Sequence, residues 1–259
     1  MRAETVGIIG GTGWLGGALA RALLDNALIA AERLFLSNRS GDHPLAASGA
    51  HLLADNQGLV DASDIVIVAV RPEQFKALAI NASDRFVISL MAGVPAQAIS
   101  SATGARKVVR AMANAAVDIR QSFTPWHCSV ELSASDQALV QQLLECVGTA
   151  SRVPTEDCID YLSALCGTGP AFPALLMTAL MRQAVAAGIP QDIARQAARG
   201  VVLGASRLLD ETEPQAMIDS LMAYRGVTAA ALQSLLAADF EAMVGRAVQA
   251  GADVARGGM

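Results

Sequence analysis

The chain has 259 residues, of which 53% are hydrophobic and only 17% charged, and its formal net charge is −5. This length and apolar content allow one large hydrophobic core or two modest ones, as in a globular protein. Because only 19 residues are lysine or arginine, the sequence has no basic stripe, which argues against nucleic acid as a partner.

The segment from Val6 to Leu19 predicts a buried strand, a glycine-rich turn and the start of a helix. Its glycines follow the spacing Gly11-x-Gly13-x-x-Gly16. Such spacing gives a tight turn, a close backbone approach to a pyrophosphate and close packing of helix on strand. The free N–H groups at the helix start would then face the anion. This motif predicts a dinucleotide site.

A second strand is predicted at Arg33–Ser37, at the distance that a βαβ unit requires. An NAD site usually has an acidic residue after this strand, whereas this chain has Ser37-Asn38-Arg39-Ser40. A guanidinium and two hydroxyls suit a 2′-phosphate, so NADPH is preferred over NADH. In the alternative interpretation, Arg39 is a solvated loop cation and the serines are turn formers.

Apolar runs rich in β-branched residues continue the alternation at Asp64–Val70, Phe86–Leu90 and Lys107–Ala111. Together they predict a doubly wound, mostly parallel α/β sheet of Rossmann type. Ser135 is predicted to cap a helix that ends before Val147-Gly148. We therefore expect a dinucleotide-binding domain over residues 1–154.

Residues 155–259 show helical periodicity with little β-branched clustering, which predicts an all-helical second domain. Its many alanines permit close helix approach, and we expect it to supply a homodimer or higher homo-oligomer interface. The expected helices are Phe172–Ala187, Ile193–Leu209, Ala216–Met222, Ala229–Ala238 and Phe240–Ala255.

The uncharged segment Tyr161–Met181 is about as long as a membrane span, but Gly167, Gly169 and Pro170 interrupt its first half. We therefore expect no membrane span, and a helix that begins near Pro170. The cysteines lack CxxC spacing and the histidines do not cluster with them, so no metal site is expected. Scattered cysteines without a signal peptide favour reduced thiols and a cytoplasmic location.

Several further motifs, spread along the whole chain, are more specific than the glycine turn. They are Gly11–Ala18, Ser37-Asn38-Arg39, Ala69-Val70-Arg71-Pro72, Ser89–Gly93, Arg110–Asn114, Cys166–Phe172, and Gly226-Val227-Thr228 with Ala231-Leu232. In this order they resemble the pyrroline-5-carboxylate reductase family. The resemblance implies a proline-biosynthesis oxidoreductase that uses NADPH to reduce the cyclic imine 1-pyrroline-5-carboxylate to proline.

The resemblance also implies roles for individual residues. The catalytic residue would be Thr228, whose hydroxyl donates to the substrate nitrogen region, while backbone N–H groups near Gly226 receive the substrate carboxylate. Substrate binding would involve Asn114, Arg225, Gly226, Val227 and Thr228. Cofactor binding would involve Gly11, Thr12, Gly13, Trp14, Leu15, Gly16, Ser37, Asn38, Arg39, Asn56, Ala69, Val70, Arg71, Pro72 and Ala92.

The chain departs from the family where a Ser-Pro-Gly-Gly-x-Thr loop is replaced by Ala223-Tyr224-Arg225-Gly226-Val227-Thr228. Tyr224 and Arg225 either close the pocket, or Arg225 pairs with the substrate carboxylate directly. Thr228 has an alternative role as a helix cap. Two other functions stay open: a reductase of another imine, a keto acid or a deazaflavin, and a non-catalytic protein that binds NADP(H).

Overall fold

The protein is described by a computed structural model that covers residues 4–37 and 43–257. These residues fall into two compact units, which divide between residues 168 and 169 and again between residues 249 and 250. The predicted domain boundary after residue 154 stays a prediction.

The first unit contains an eight-stranded sheet in the order β3-β2-β1-β4-β5-β6-β7-β8. Strands β1 to β6 are parallel, β7 runs antiparallel to β6, and β8 is parallel to β7. The strands are β1 Val6–Ile9, β2 Leu34–Ser37, β3 His51–Leu53, β4 Ile65–Val68, β5 Phe86–Ser89, β6 Lys107–Ala111, β7 Ser122–Cys128 and β8 Gly148–Arg152. The order reverses between β1 and β4, so the expected doubly wound fold is confirmed.

Helices alternate with these strands along the first unit. They are α1 Trp14–Asp25, α2 Asn56–Asp61, α3 Pro72–Phe75, α4 Ala96–Thr103, α5 Ala134–Glu145 and α6 Glu156–Gly167. Two clusters of buried side chains flank the sheet. Along β4, Ile65 and Ile67 belong to one cluster and Val66 and Val68 to the other, as a period of two requires. Burial on both faces explains why this strand is a continuous apolar run.

The second unit is helical. It contains α7 Ala171–Ala186, α8 Gln191–Arg199, α9 Pro214–Ala223, α10 Val227–Ala237 and the first part of α11 Phe240–Gly257. The predicted helix start near Pro170 is confirmed. The predicted helix Ile193–Leu209 is not uniform, because α8 passes into a π-helical turn at Gly200–Gly204 and a 3-10 segment at Ala205–Asp210.

One other prediction needs correction, and several elements were not predicted. The cap of α5 is Ser133, not Ser135: the Ser133 Oγ accepts a hydrogen bond from Asp136 N at 3.1 Å. The prediction placed the cap two residues too late because both serines precede the apolar pattern. The sequence pattern also did not predict the individual elements β3, β7, β8, α2, α3, α4 and α6, whose segments are short, polar or interrupted by Pro125.

The helical segment Glu156–Ala186 is long and apolar enough to cross a membrane, with a mean hydropathy of 1.4 in the apolar window. A core helix or a helix at a subunit interface has the same composition. The expectation of no membrane span therefore stays a prediction.

Candidate functional site

The glycine turn after β1 depends on backbone positions that leave no room for side chains. Gly10 has φ +79°, and a Cβ there would lie 2.7 Å from the Ala69 carbonyl oxygen. A Cβ on Gly16 would lie only 2.4 Å from the carbonyl oxygen of Gly10. Hydrogen bonds from Gly11 N to Ile8 O at 3.0 Å and from Gly13 N to Gly10 O at 2.9 Å close the turn. The turn thus brings the start of α1 directly against the end of β1.

The start of α1 fits an anionic group. Gly13 is the N-cap, and among the described residues no side chain caps it and no acidic residue occupies the first helical turn. The first N–H groups of a helix lack intrahelical partners, and the helix dipole favours negative charge there. Trp14 is 57% exposed, and its indole Nε1 donates to Asp118 Oδ2 at 2.9 Å. Asp118 therefore fixes the orientation of the indole.

The end of β2 lies beside this turn, as the βαβ prediction requires. Gly10 N donates to Ser37 Oγ at 2.9 Å, which leaves the hydroxyl hydrogen of Ser37 able to donate to a ligand. Asn38 and Arg39, the other residues expected at the 2′-phosphate, lie outside the described residues. Asn56 is half-buried and is the first residue of α2, directly after the Asp55 cap.

The connection after β4 lies on the other side of the turn. Ala69 N donates to Ile9 O at 2.9 Å, which holds the Ala69–Pro72 segment against the end of β1. Arg71 is exposed, its N–H donates to Gln74 Oε1 at 3.2 Å, and Pro72 is the first residue of α3. Because β1 and β4 are the strands at which the sheet order reverses, this crevice is where a doubly wound sheet binds its ligand.

The connection after β5 borders a cavity of about 170 Å³. Gly93 has φ +66°, and both Ala92 and Gly93 are half-buried. The remaining wall comes from α6, Thr168 and the end of α11, through Ser163, Ala164, Thr168, Gly251, Val254 and Ala255. All of these residues belong to the first unit. Ala92, which was assigned to the cofactor, therefore lies at the edge of a mostly apolar cavity.

Asn114, after β6, uses both polar atoms of its side chain within the protein. Its Oδ1 accepts from Ala116 N at 2.9 Å, and its Nδ2 donates to Cys166 O at 2.9 Å. These contacts join the end of β6 to α6. The assignment of Asn114 to substrate binding stays a prediction. To contact a substrate, the side chain would have to add a contact to these two hydrogen bonds or exchange one of them for it.

A buried ion-pair cluster next to this region escaped the sequence analysis. Arg110 lies in β6 with its side chain 3% exposed, and it pairs with Glu156 at 2.9 Å and Asp160 at 2.8 Å. Glu156 Oε1 also accepts from Ala96 N at 2.7 Å. The available signal was an arginine inside an otherwise apolar strand, because a buried charge requires partners.

The residues assigned to the substrate in the second unit lie at the start of α10. Gly226 is the N-cap and Thr228 the second helical residue, so the interpretation of Thr228 as the helix cap is wrong. Arg225 has φ +45°, a left-handed conformation that favours glycine. Tyr224 and Val227 are 88% and 90% exposed in the single chain. The loop thus presents the first N–H groups of α10 beside a cationic residue.

Thiol chemistry has little support in the first unit. Burial raises the pKa of the Cys146 thiol to about 12, and burial also raises the pKa of Cys128 and of Cys166. A thiol in this state is a poor nucleophile at neutral pH.

The whole arrangement fits a dinucleotide with a pyrophosphate. The Gly10–Gly16 cradle would be filled by any Cβ at Gly16, and the ends of β1, β2, β4 and β5 meet along one edge of the sheet. The described residues assigned to the cofactor thus lie along this edge, whereas Arg225 to Thr228 belong to the second unit.

Comparison with known proteins identifies both parts of the chain. Residues 156–257 match the family model described as pyrroline-5-carboxylate reductase dimerisation. Residues 5–93 match the model described as NADP oxidoreductase, coenzyme F420-dependent.

Individual relatives agree over nearly the full length. Pyrroline-5-carboxylate reductase 2 from Homo sapiens is 30% identical, with 95% of this chain and 81% of that protein covered. The structure of a pyrroline-5-carboxylate reductase from Coxiella burnetii has a TM-score of 0.87, 26% identity and 98% coverage of both chains. The NADP-bound pyrroline carboxylate reductase from Plasmodium falciparum has a TM-score of 0.84 at 22% identity, covering 99% of this chain and 98% of that one.

Proposed function

The chain belongs to the pyrroline-5-carboxylate reductase family, and we propose that it reduces 1-pyrroline-5-carboxylate to proline with NADPH as the hydride donor. The observation that carries the proposal is the cradle between Gly10 and Gly16, where an added Cβ would lie 2.4 Å from backbone. Such close packing without side chains would allow a pyrophosphate to bind the backbone amides of Thr12 to Leu15.

NADPH would be held at four places along the edge of the sheet. The start of α1 would bind the pyrophosphate, Ser37 with Asn38 and Arg39 would surround the 2′-phosphate, and Asn56 would lie near the adenosine. Ala69–Pro72 and Ala92 would border the nicotinamide end. Support for this order comes from the hydrogen bonds that join Gly10 to Ser37 and Ala69 to Ile9.

The substrate carboxylate is proposed to bind the N-terminus of α10. Thr228 is the second residue of this helix, so its hydroxyl projects from the same end as the first backbone N–H groups. Arg225 adds a positive charge next to these donors. The left-handed backbone at Arg225 keeps a conformation natural to the glycine of the family loop, which supports conservation of the turn despite the substitution.

The reaction places modest demands on side chains. A nicotinamide bound here would supply the hydride for the imine carbon, and reduction of the C=N double bond to the amine of proline also needs one proton on the nitrogen. We propose that the Thr228 hydroxyl orients that nitrogen and passes the proton from water. The backbone amides and Arg225 would fix the carboxylate, so that the imine carbon has one orientation.

The chain forms a homo-oligomer through a dimerisation domain of its family, and we propose a dimer built from the C-terminal helices. The second unit exposes large apolar side chains in the single chain, among them Leu175 at 71% and Leu208 at 62%. Exposed apolar surface of this extent is typical of an interface. A cytoplasmic location is also proposed, which the free thiols of the four cysteines support.

The experiment is NADPH oxidation by the purified protein with 1-pyrroline-5-carboxylate, beside an NADH control. We expect turnover with a preference for NADPH, and Arg39→Asp should remove that preference because repulsion replaces a charge-assisted contact. Binding of NADPH without turnover would contradict the substrate proposal. A panel of other cyclic imines and keto acids would then identify a different substrate.

The variant Thr228→Val separates an enzyme from a non-catalytic NADP(H)-binding protein. Valine has a similar shape but lacks the hydroxyl. We expect kcat to fall at least about a hundredfold while the Kd for NADPH is unchanged, because general acid–base contributions are typically about 10²–10⁴-fold. An unchanged kcat would show that the hydroxyl takes no part in catalysis, and a wild-type protein that binds NADPH but turns over no imine or keto acid would favour the non-catalytic function.

A further inference from the structure

We propose that Glu156 is a positioning residue that fixes the Ala92–Gly93 connection at the nicotinamide end of the cofactor site. The proposal rests on the proposed function in one respect, the assignment of Ala92 to the nicotinamide end. Otherwise it follows from contacts within the first unit, between α6, β6 and the start of α4.

A single carboxylate oxygen of Glu156 joins these three elements. Oε1 accepts from the Arg110 Nη1 at 2.9 Å and from the Ala96 backbone N–H at 2.7 Å. Arg110 is held in turn by Asp160, whose Oδ1 accepts from Nη2 at 2.8 Å. Since the Arg110 side chain is 3% exposed, it is a fixed rather than a mobile partner. Glu156 is therefore oriented by a buried charge on one side and tied to backbone on the other.

Ala96 is the position at which such a contact matters for the loop. It is the first residue of α4, and the preceding Pro95 is the N-cap but offers no side-chain hydrogen bond among the described residues. A carboxylate 60 positions away in sequence therefore satisfies the first N–H of this helix. The charge also interacts favourably with the helix dipole. Glu156 consequently acts as the cap that the local sequence lacks.

The connection is thus held at both ends. On the strand side, Leu90 N donates to Val68 O at 2.9 Å and Met91 N donates to Ser89 Oγ at 3.2 Å. On the helix side, Ala96 N is held by Glu156. Ala92 and Gly93 lie between these anchors and form one edge of the 170 Å³ cavity, with Gly93 in the left-handed region.

The same helix that supplies Glu156 also lines this cavity. Ser163 and Ala164 follow Glu156 by two turns of α6 and contribute to its wall. The contact of Glu156 with Ala96 therefore ties the loop that carries Ala92 and Gly93 to the helix that carries Ser163 and Ala164. Loss of the contact frees the loop wall, while the helix wall stays packed on β6 and β7.

Asp160 provides a matched control. It binds the same guanidinium from the same helix, one turn after Glu156, and its side chain is 13% exposed. Its described contact is with Arg110 and not with the loop. Removal of either carboxylate therefore disturbs the buried cluster, but only removal of Glu156 releases Ala96.

The experiment compares Glu156→Ala, Glu156→Gln and Asp160→Ala. Affinity is measured for NADPH and for 2′-phospho-ADP-ribose, which lacks the nicotinamide but keeps the remaining contacts, and thermal unfolding is followed for each variant. Glu156→Ala should lower the affinity for NADPH about tenfold and lower kcat by a similar factor. The affinity for 2′-phospho-ADP-ribose should change less than twofold. Glu156→Gln keeps an acceptor oxygen and should restore NADPH affinity to within threefold of wild type.

Asp160→Ala should lower the melting temperature as much as Glu156→Ala and leave the ratio of the two affinities unchanged. Equal weakening of both ligands by Glu156→Ala, or the same selective loss in Asp160→Ala, would overturn the proposal. If the wild type binds NADPH but does not reduce the imine, the substrate proposal fails, and the affinity ratio still decides the role of Glu156. A wild-type protein without affinity for NADPH would refute both.

Discussion

Replacement of Gly16 by alanine tests whether the start of α1 can pack against the glycine turn only when residue 16 has no side chain. An added Cβ would lie 2.4 Å from the carbonyl oxygen of Gly10, whereas ordinary contact begins at 3.4 Å. The start of α1 must therefore move by about 1 Å, since interiors are close-packed. Overpacking costs about 1–3 kcal/mol, and the better helix propensity of alanine returns about 1 kcal/mol. We expect a net loss of up to about 2 kcal/mol in the free energy of unfolding.

The same shift moves the amides that would bind the pyrophosphate. One charge-assisted hydrogen bond contributes about 1.5–3 kcal/mol to binding. Gly16→Ala should therefore raise the Kd for NADPH at least about tenfold, as measured by fluorescence titration. Gly17→Ala is the matched control in the next position of α1. Its Cβ would meet Gly11 O and Arg21 at 3.5 Å, which is ordinary contact, so affinity should stay within about twofold and stability should rise slightly. Equal loss of affinity in both variants would refute the reasoning.

Three further predictions concern other parts of the molecule. Arg225→Gly should raise the melting temperature, because a non-glycine residue in the left-handed conformation costs about 1 kcal/mol. The same variant should raise KM for the imine about tenfold, whereas Arg225→Lys should retain most of the affinity. An unchanged KM in Arg225→Gly would show that the guanidinium does not bind substrate. Cys146 should resist alkylation by iodoacetamide at pH 8 in the native protein, because burial raises its pKa to about 12. Detection of the alkylated Cys146 peptide by mass spectrometry would contradict this prediction. The hydrogen bond from Lys107 lowers the pKa of Asp136 below its usual value of 3.8, so this contact stabilises the protein above about pH 4 and is lost as the pH falls through the lowered pKa. Asp136→Asn should therefore cost about 0.5 kcal/mol at pH 7 in urea unfolding and less below pH 4, and a pH-independent difference would count against the ion pair.

The sequence predicted the parts of the fold that rest on local pattern. β1, β4, β5 and β6 are apolar runs because helices cover both faces of the sheet, and the glycine spacing marked the turn that joins β1 to α1. By contrast, β8 is a mostly exposed edge strand, and Thr149, Ser151 and Arg152 give it no apolar period. Such a strand forms through pairing with β7, which no local pattern encodes.

The candidate site divides in the same way. Gly11 and Gly16 could be assigned because they follow a predicted strand with the spacing of a dinucleotide turn, and Ala69 could be assigned from the family resemblance. The contact between Glu156 and Ala96 could not be predicted from the sequence, because the two residues lie 60 positions apart and belong to elements that the pattern did not predict. Arg110 alone carried a signal, as a charge within a buried strand, but its partners required the structure.

The central claim is that this chain transfers a hydride from NADPH to an imine carbon. The most direct test is incubation with NADPH deuterated at the transferring position and 1-pyrroline-5-carboxylate, followed by mass spectrometry of the product. We predict proline with one deuterium at the ring carbon that carried the double bond. Absence of labelled proline, while the protein binds the nucleotide, would contradict the claim.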